Sequence, residues 1–223
     1  MRINKYIASS TELSRRAADD AIAAGRVLVN GQAPQPGHDV GNSDVVTLDN
    51  RRITPAVKSV TIMLNKPPGI VVSRDGQGAE TIYDILPPEY RQLNPVGRLD
   101  KYSSGLLLLT NDGQLHQGLT HPSRQKVKIY EVFLDKPLQP LHRQMISDHG
   151  ITLEDSVSKL QLDRLKEGDD IAWQVTMHEG RNRQIRRTFE ALGYRVTHLH
   201  RTHFGPYTLG FLQQGKFEAV QKT

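Results

Sequence analysis

Residues 94–113 read NPVGRLDKYSSGLLLLTNDG, a polar loop that runs directly into a short and strongly apolar segment. Four consecutive leucines bounded by polar residues predict a buried strand over Leu106–Thr110. Glycines on both sides of Asp100 permit a tight backbone, and a rigid strand next to this loop can fix a side chain in place. The stretch therefore predicts a buried strand with a carboxylate held close to its start.

Asp100 also has structural interpretations. It can be an Asx-turn residue or a partner of Arg98, and the residues taken alone favour such a role. Ser103 and Ser104 suggest a serine hydrolase, but the G-x-S-x-G elbow of those enzymes is absent from the sequence.

The composition excludes several classes of protein. The 223 residues include no cysteine, which rules out a disulfide scaffold, a Cys-ligated zinc site, an iron–sulfur cluster and a Cys nucleophile. Lys and Arg exceed Asp and Glu by a formal charge of +5, which is compatible with a polyanionic partner. No apolar run approaches the ~20 residues that span a bilayer, and the start has no secretory signal. We expect a cytoplasmic protein that does not associate with membranes.

The rest of the chain predicts an α+β fold with a mixed, mainly antiparallel sheet. The further strand candidates are residues 61–64, 70–73, 127–133, 160–164, 171–177 and 194–200. The helix candidates are residues 81–86, 114–119, 141–148 and 183–192. Because most of these strands do not alternate regularly with long helices, a doubly wound parallel sheet is disfavoured.

The first fifty residues predict a separate small domain. A short helix over Arg2–Ala8 precedes a helix over Arg15–Ala24, with Ser14 as its N-cap. The strand Val27–Val29 then enters Asn30-Gly31, a strong hairpin-turn pattern, and a second strand follows at residues 45–48. We expect this domain at residues 1–50, a linker at 51–58, and a larger domain at 59–223.

The densest cluster of charge lies near the end of the larger domain. Residues 181–201 contain six arginines and one acidic residue. On a helix, Ile185, Phe189 and Leu192 share an apolar face, Arg183 and Arg187 lie opposite, and Arg186 falls at the boundary. Arginine presents a planar fork to phosphate and stacks on bases, so we expect a phosphate-binding face rather than a merely solvated one.

Other motifs add little. His198, His200 and His203 have a spacing that could supply metal ligands, but arginines flank them without a nearby carboxylate, so no metal site is predicted. Neither a Walker loop nor a G-x-G-x-x-G is present, which disfavours an NTPase or a dinucleotide enzyme. Tyr130, taken alone, is a cross-strand packing aromatic.

Taken together and in order, these segments resemble the bacterial rRNA pseudouridine synthases of the small-subunit/large-subunit family. The resemblance covers nearly the whole chain. RINKYIASS (2–10) and SRRAADDAIAAGRVLVNGQ (14–32) resemble the alpha-L RNA-binding domain of these enzymes, and NKPPGIVVS (65–73) resembles the opening of their catalytic domain. GRLDKYSSGLLLLTNDG (97–113), KIYEV (128–132) and EGRNRQIRRTFEALG (179–193) match their catalytic-Asp, tyrosine and basic motifs. One departure is Thr188, where relatives often carry a larger apolar residue.

The resemblance implies isomerisation of a specific uridine to pseudouridine in folded rRNA, without cofactor or metal. Asp100 matches the catalytic aspartate, Tyr130 the residue that stacks on the target uracil, and Arg186 the cation paired with the aspartate. A nearby cation favours the charged form of a carboxylate. The uracil would be extruded from the RNA into the pocket. The segment HPSRQ (121–125) slightly favours large-subunit rRNA over small-subunit rRNA.

The remaining basic residues are the candidates for RNA binding. They are Arg98, Lys128, Arg181, Arg183 and Arg187 in the larger domain and Arg2, Lys5, Arg15 and Arg16 in the small one. The expected partner is rRNA or an assembly intermediate of a ribosomal subunit, bound by a monomer. The alternative is a non-catalytic RNA-binding assembly factor that retains the fold. A metal hydrolase that uses the histidines is a distant third.

Overall fold

The computed structural model describes residues 1–54, 59–121 and 126–221, and the chain divides into two compact units, Met1–Ser59 and Val60–Thr223. Half of the expected linker, at 55–58, and most of the HPSRQ segment, at 122–125, lie outside the described residues. Within the described part of the chain, no helix is long and apolar enough to cross a membrane.

The first unit consists of two helices and a small antiparallel sheet of order β1-β2-β3. Its elements are α1 (Ile3–Ser10), α2 (Arg15–Ala23), β1 (Val27–Val29), β2 (Val46–Leu48) and β3 (Arg51–Ile53). Ser14 caps α2 as expected, since its Oγ accepts a hydrogen bond from the backbone N–H of Ala17 at 3.1 Å. Both helices bury their apolar faces against β1 and β2, so this unit has a hydrophobic core of its own.

Two details of the first unit differ from the expectation. Asn30 and Gly31 do form a turn with positive φ at both residues, but it closes only the bridge between Val29 and Gln32. The strand β1 pairs with β2, the second strand expected at residues 45–48, so the turn at Asn30-Gly31 does not itself join these two strands. Arg51–Ile53, expected within a linker, pairs with β2 as strand β3, and the Tyr6 hydroxyl donates to the Ile53 carbonyl at 3.2 Å.

The second unit is a mixed, mainly antiparallel sheet of nine strands, which confirms the α+β fold. Its strands are β4 (Thr61–Lys66), β5 (Asn94–Pro95), β6 (Ser104–Thr110), β7 (Lys128–Leu134), β10 (Gln161–Arg164), β11 (Ala172–Met177), β12 (Val196–Phe204), β13 (Tyr207–Thr208) and β14 (Phe217–Ala219). The main order is β10-β11-β7-β12-β6-β4-β14, with β5 beside β6 and β13 beside β12. Only the β6–β12 pair is parallel among the described strands.

Short elements connect these strands. They are a 3₁₀-helix (Pro88–Tyr90), α3 (Gly113–Thr120), α4 (Pro140–Gln144) continued by a π-helical turn (Met145–His149), the hairpin β8 (Ile151–Thr152) and β9 (Val157–Ser158), and α5 (Gln184–Glu190). The helix expected at 183–192 is therefore shorter, because Arg183 has a φ of +46° and precedes the first helical residue.

The strand β6 is buried along its whole length, which explains its uninterrupted leucines. Leu107 and Leu109 pack into the larger hydrophobic cluster on one face of the sheet. Leu106 and Leu108 pack into a second cluster on the other face, with α3 and Phe204. The residues that precede β6, including Asp100, are therefore attached to the most deeply buried strand of the unit.

Two predicted elements of the second unit do not form. Residues 70–73, expected as a strand, make only an isolated bridge between Val71 and Thr81. Residues 81–86, expected as a helix, form turns, because Asp84 accepts hydrogen bonds at 2.8 Å from the backbone N–H and the hydroxyl of Thr81. Their apolar side chains, such as Ile82, are buried in the larger cluster, so the apolar pattern reflects a packed loop.

Candidate active site

The loop that carries Asp100 is tied to the sheet by a close contact between strands. Gly105, the second residue of β6, has a φ of +102° and lies opposite Arg201 of β12. A Cβ atom at this position would collide with the backbone of Arg201. Glycine is therefore required for β12 to approach the start of β6, and this approach brings β12 next to the Asp100 loop.

Asp100 and Tyr130 lie in the wall of one cavity. The cavity has a volume of about 620 Å³, and its other charged lining residues include Arg98, Lys128, Arg183 and Arg201. Tyr130 is 8% exposed and lies between Val175 of β11 and Arg201 of β12 in the sheet. The two residues are 30 positions apart in the sequence, and the sheet brings them together.

Arg186 lies behind the Asp100 loop and is 8% exposed. It is at the edge of the apolar face of α5, as the helix pattern predicts. Its Nη1 donates to the Val196 carbonyl at 2.8 Å, and its Nη2 lies 3.3 Å from the Tyr102 carbonyl and 3.4 Å from Ser103 Oγ. Burial lowers the pKa of Arg186, as does the charge of Arg183, while the charge of Asp100 acts in the opposite direction.

The expected pairing of Arg186 with Asp100 is therefore electrostatic. The charge of Asp100 acts on the guanidinium, but no direct ion pair joins the two side chains in the described residues. Arg186 Nη2 donates instead to the backbone and a side chain just after Asp100, while Nη1 donates to Val196. Arg186 thus both holds this loop and supplies positive charge near the carboxylate.

Lys66 is a second buried cation behind the same loop, and the sequence reasoning missed it. It ends β4, is 0% exposed, and donates to the carbonyls of Pro67 at 2.9 Å, Ser103 at 2.8 Å and Lys101 at 3.3 Å. Burial lowers its pKa to about 8, against the opposing effect of the Asp100 charge. A lysine at the end of an apolar strand and directly before two prolines is the feature of the sequence that could have identified it.

Arg181 and Arg187, expected to bind RNA, have protein partners. Both contact the carboxylate of Asp155, at 3.1 Å and 3.0 Å, and this lowers the pKa of Asp155 to about 2 through the hydrogen bond from Arg187. Arg181 also pairs with Glu179 at 3.2 Å. These arginines connect the β8–β9 hairpin to α5, and their contact with RNA stays a prediction.

A buried polar network lies beneath this connection. Thr188 donates to Ser158 Oγ at 2.7 Å, and Gln184 donates to the same hydroxyl at 3.1 Å and to the Glu179 carboxylate. Thr188, Gln184 and Ser158 are all buried. The polar residue at 188, which departs from the family pattern, is therefore satisfied by a hydroxyl partner on β9.

The remaining candidates of the second unit reach the cavity. Arg98 is exposed at its rim, and Arg183, which lies 3.7 Å from Glu190, also lines it. Lys128 is half-buried in the wall, where its Nζ lies 3.2 Å from the Glu179 carbonyl. Arg201 lines the same cavity, although the sequence reasoning counted it only within the arginine cluster.

In the first unit, Arg2 pairs with Asp39 at 3.4 Å and hydrogen-bonds to the Gly37 carbonyl. Arg15 lies 3.3 Å from the Asn4 side-chain oxygen. Arg16 is exposed and Lys5 is half-exposed, both on the helical side of the unit. Their role in RNA binding stays a prediction.

The histidines are arranged as strand residues. His198 and His200 stack with their ring centroids 5.8 Å apart, and His200 Nδ1 lies 2.9 Å from Ser104 Oγ. His203 Nδ1 lies 2.9 Å from Thr202 Oγ1. Among the described residues, no group of three or more His, Asp or Glu side chains could hold a metal ion.

Comparisons with known proteins agree with this architecture. The profile of a family described as RNA pseudouridylate synthase matches residues 60–191, and that of the S4 domain matches residues 1–46. The ribosomal large subunit pseudouridine synthase B of Bacillus subtilis (strain 168) is 35% identical over 221 residues, covering 96% of this chain and 89% of that protein. The dual-specificity RNA pseudouridine synthase RluF of Escherichia coli (strain K12) is 36% identical over 219 residues, covering 97% and 74%.

A solved structure gives the same result for the fold. The crystal structure of a pseudouridylate synthase matches with a TM-score of 0.70 at 32% identity, over 99% of this chain and 96% of that one. The family match and these relatives identify the class as an RNA-modifying enzyme, and the second unit has a carboxylate and a tyrosine in one basic cavity. The chain belongs to the RNA pseudouridine synthase family, with an S4 domain at its N-terminus.

Proposed function

We propose that this enzyme converts a specific uridine of ribosomal RNA, with large-subunit rRNA slightly favoured, to pseudouridine, and that Asp100 is its catalytic carboxylate. The observation that carries the proposal is the shared cavity of Asp100 and Tyr130, with the Asp100 loop held from behind by Arg186 and Lys66. A carboxylate on a loop that two buried cations hold in place is preorganised for chemistry on a neutral base.

The reaction is an internal rearrangement, so it needs no second substrate. The bond between C1′ and N1 of the uridine breaks, the uracil turns within the cavity, and C1′ bonds to C5. The C5 proton is lost to solvent and N1 gains a proton, which balances the reaction. Asp100 attacks the ribose or the base, or removes a ribose proton, and Tyr130 stacks on the uracil and helps remove the C5 proton.

The uridine must leave its RNA helix or loop to reach Asp100. Extrusion costs a few kcal/mol of unstacking, which contacts to the extruded base and the flanking phosphates offset. The ring of Tyr130, which lines the cavity, and the basic residues Arg98, Lys128 and Arg183 support this role by their positions. The S4 unit would hold RNA outside the catalytic unit.

The first test is release of tritium from rRNA labelled at uracil C5, because C5 loses its hydrogen when pseudouridine forms. We expect release by the wild type, none by Asp100→Asn, and RNA affinity of that variant within a few-fold. Asp163→Asn, an exposed carboxylate on β10, serves as the control and should keep full activity. Wild-type turnover by Asp100→Asn would remove the assigned role from this residue.

The form of the substrate is tested in the same assay. Naked large-subunit and small-subunit rRNA, mature subunits and assembly intermediates are supplied in parallel, and the modified position is mapped by chemical labelling of pseudouridine. Release from a large-subunit substrate is the expected result. Binding of these RNAs without tritium release from any of them would favour the non-catalytic assembly factor.

A further inference from the structure

Arg201 is a buried arginine that the mechanism above does not use. It lies directly opposite Tyr130 in the β7–β12 pair and is 2% exposed. Directly opposed residues of neighbouring strands project to the same face of a sheet, so the side chains of Arg201 and Tyr130 share one side. Both residues line the 620 Å³ cavity.

The guanidinium of Arg201 is only partly satisfied. Its Nε donates to the Leu106 carbonyl at 2.8 Å, and this is its one hydrogen bond within the described part of the chain. Its Nη2 is buried without a partner there. Arg186 differs, since both of its terminal nitrogens donate to protein atoms. A buried donor without an acceptor is costly, and an arginine whose fork has no protein acceptor is suited to a ligand.

Lys128 places a second positive charge beside Arg201. Arg201 lies 4.8 Å and Lys128 5.5 Å from the ring centroid of Phe204. Burial and the charge of Arg201 both lower the pKa of Lys128, with a smaller opposite effect of Glu179. Neither cation forms an ion pair with a carboxylate of the described residues, and the Glu179 carboxylate is engaged by Arg181 and Gln184.

We infer that Lys128 and Arg201 form an anion subsite that holds an RNA phosphate next to the uridine in the cavity. This inference rests on the proposed function and identifies a place for the backbone of the extruded nucleotide. The phosphate supplies a negative charge to two cations that form no ion pair with a carboxylate of the described residues. Arginine presents a fork to the phosphate oxygens and lysine a point charge, which is a common combination in phosphate binding.

The salt dependence of turnover tests this subsite. Loss of one phosphate contact reduces the slope of log(kcat/KM) against log[salt] by about 0.7 to 0.9, and we expect this reduction for Arg201→Gln. We also expect kcat/KM at low salt to fall by about tenfold, with Arg201→Lys retaining most of the slope. Arg164→Gln, an exposed arginine of β10 outside the cavity lining, is the control and should leave the slope unchanged. If Arg201→Gln is fully folded and its slope equals that of the wild type, the inference is overturned.

Lys128→Gln provides a second variant, because Lys128 is only half-buried and its loss removes no buried guanidinium. If Arg201→Gln does not fold, the slope of Lys128→Gln decides the question in the same way. A reduced slope supports the subsite, and an unchanged slope rejects it.

A third measurement does not depend on turnover. Acetylation of Lys128 by acetic anhydride is followed by peptide mass spectrometry with and without rRNA, and Lys166, exposed between β10 and β11, is the internal control. We expect rRNA to protect Lys128 but not Lys166. If rRNA protects Lys128 from acetylation but no tritium is released, the proposed isomerisation is rejected and the anion subsite is kept. If tritium is released but Lys128 is not protected, the subsite alone is rejected.

Discussion

At the scale of single residues, Lys66 holds the loop that carries Asp100 without lining the cavity. Its ammonium group holds the carbonyls of Lys101 and Ser103, which lie on either side of the turn after Asp100. It is therefore a positioning residue. The exposed neighbour Lys101 has the same charge, but its side chain is not buried.

Lys66→Met should destabilise the protein by at least about 2 kcal/mol, because it removes the buried ammonium donor to the Pro67 and Ser103 carbonyls. The Lys101 carbonyl keeps the backbone N–H of Gly69 at 2.7 Å. Urea unfolding at neutral pH measures this change. Lys101→Met should alter the free energy of unfolding by less than about 0.5 kcal/mol, as is usual for surface residues. We also expect Lys66→Met to lower kcat more than it raises KM for rRNA. Equal stabilities of the two variants would contradict the assigned role of Lys66.

At the scale of elements, the carboxylate of Asp155 is one of the links between α5 and the β8–β9 hairpin. Its pKa of about 2 lies below the value of about 3.9 for an unfolded aspartate. The stabilising contribution of such a depressed carboxylate is present above the unfolded value and is lost as pH falls through the folded value.

Asp155→Asn should therefore be less stable than the wild type at pH 5 to 7, and the difference should shrink as pH falls from 4 towards 2. Urea unfolding across this range measures the difference, and amide hydrogen exchange of residues 151–158 locates it. Asp148→Asn, an exposed carboxylate, provides the comparison and should show no such convergence. A difference in stability independent of pH would mean that the two arginines do not act through the Asp155 charge.

The elements also show where sequence reasoning succeeds. The strand β6 was predictable because its leucines must be buried on both faces, and α2 because Ser14 is a strong N-cap. Residues 70–73 and 81–86 were wrongly predicted because their apolar side chains pack from turns, and burial alone does not distinguish a packed loop from a strand or helix. The strand β3 was missed because it has only three residues, too few to show the alternation of apolar and polar side chains that indicates a strand.

The residues of the candidate site were also predictable from the sequence only in part. Asp100, Tyr130 and Arg186 could be named in advance because each lies within a family motif. Lys66 and the partly unsatisfied guanidinium of Arg201 could not be named in advance. Their roles depend on which carbonyls and rings surround them in three dimensions. Likewise, nothing in the spacing of Arg181 and Arg187 indicates that a carboxylate from a distant hairpin binds both.

At the scale of the whole molecule, the S4 domain and the residues proposed for the chemical step belong to separate units. Asp100, Tyr130 and Arg186 all belong to Val60–Thr223, whereas the S4 domain lies within Met1–Ser59. A change of charge in the first unit should therefore act on affinity and leave the chemical step intact.

Arg16→Glu should raise KM for rRNA by about two- to fivefold and leave kcat unchanged, since an exposed ionic contact contributes ~1 kcal/mol or less. Steady-state tritium release measures both constants. Lys166→Glu, with the same change of charge on the exposed β10–β11 turn, should affect neither. A fall in kcat for Arg16→Glu would mean that the first unit takes part in catalysis.

The position of β12 also has a consequence for biosynthesis. In the sheet, β6 and β7 are not neighbours, because β12 lies between them and pairs with both. A nascent chain that has not yet produced residues 196–204 contains two half-sheets, one next to Asp100 and the other carrying Tyr130. Long-range pairings of this kind form late. The ribosome must therefore synthesise the chain through Phe204 before the cavity exists, so a product that stops before β12 has no assembled site with which to modify RNA.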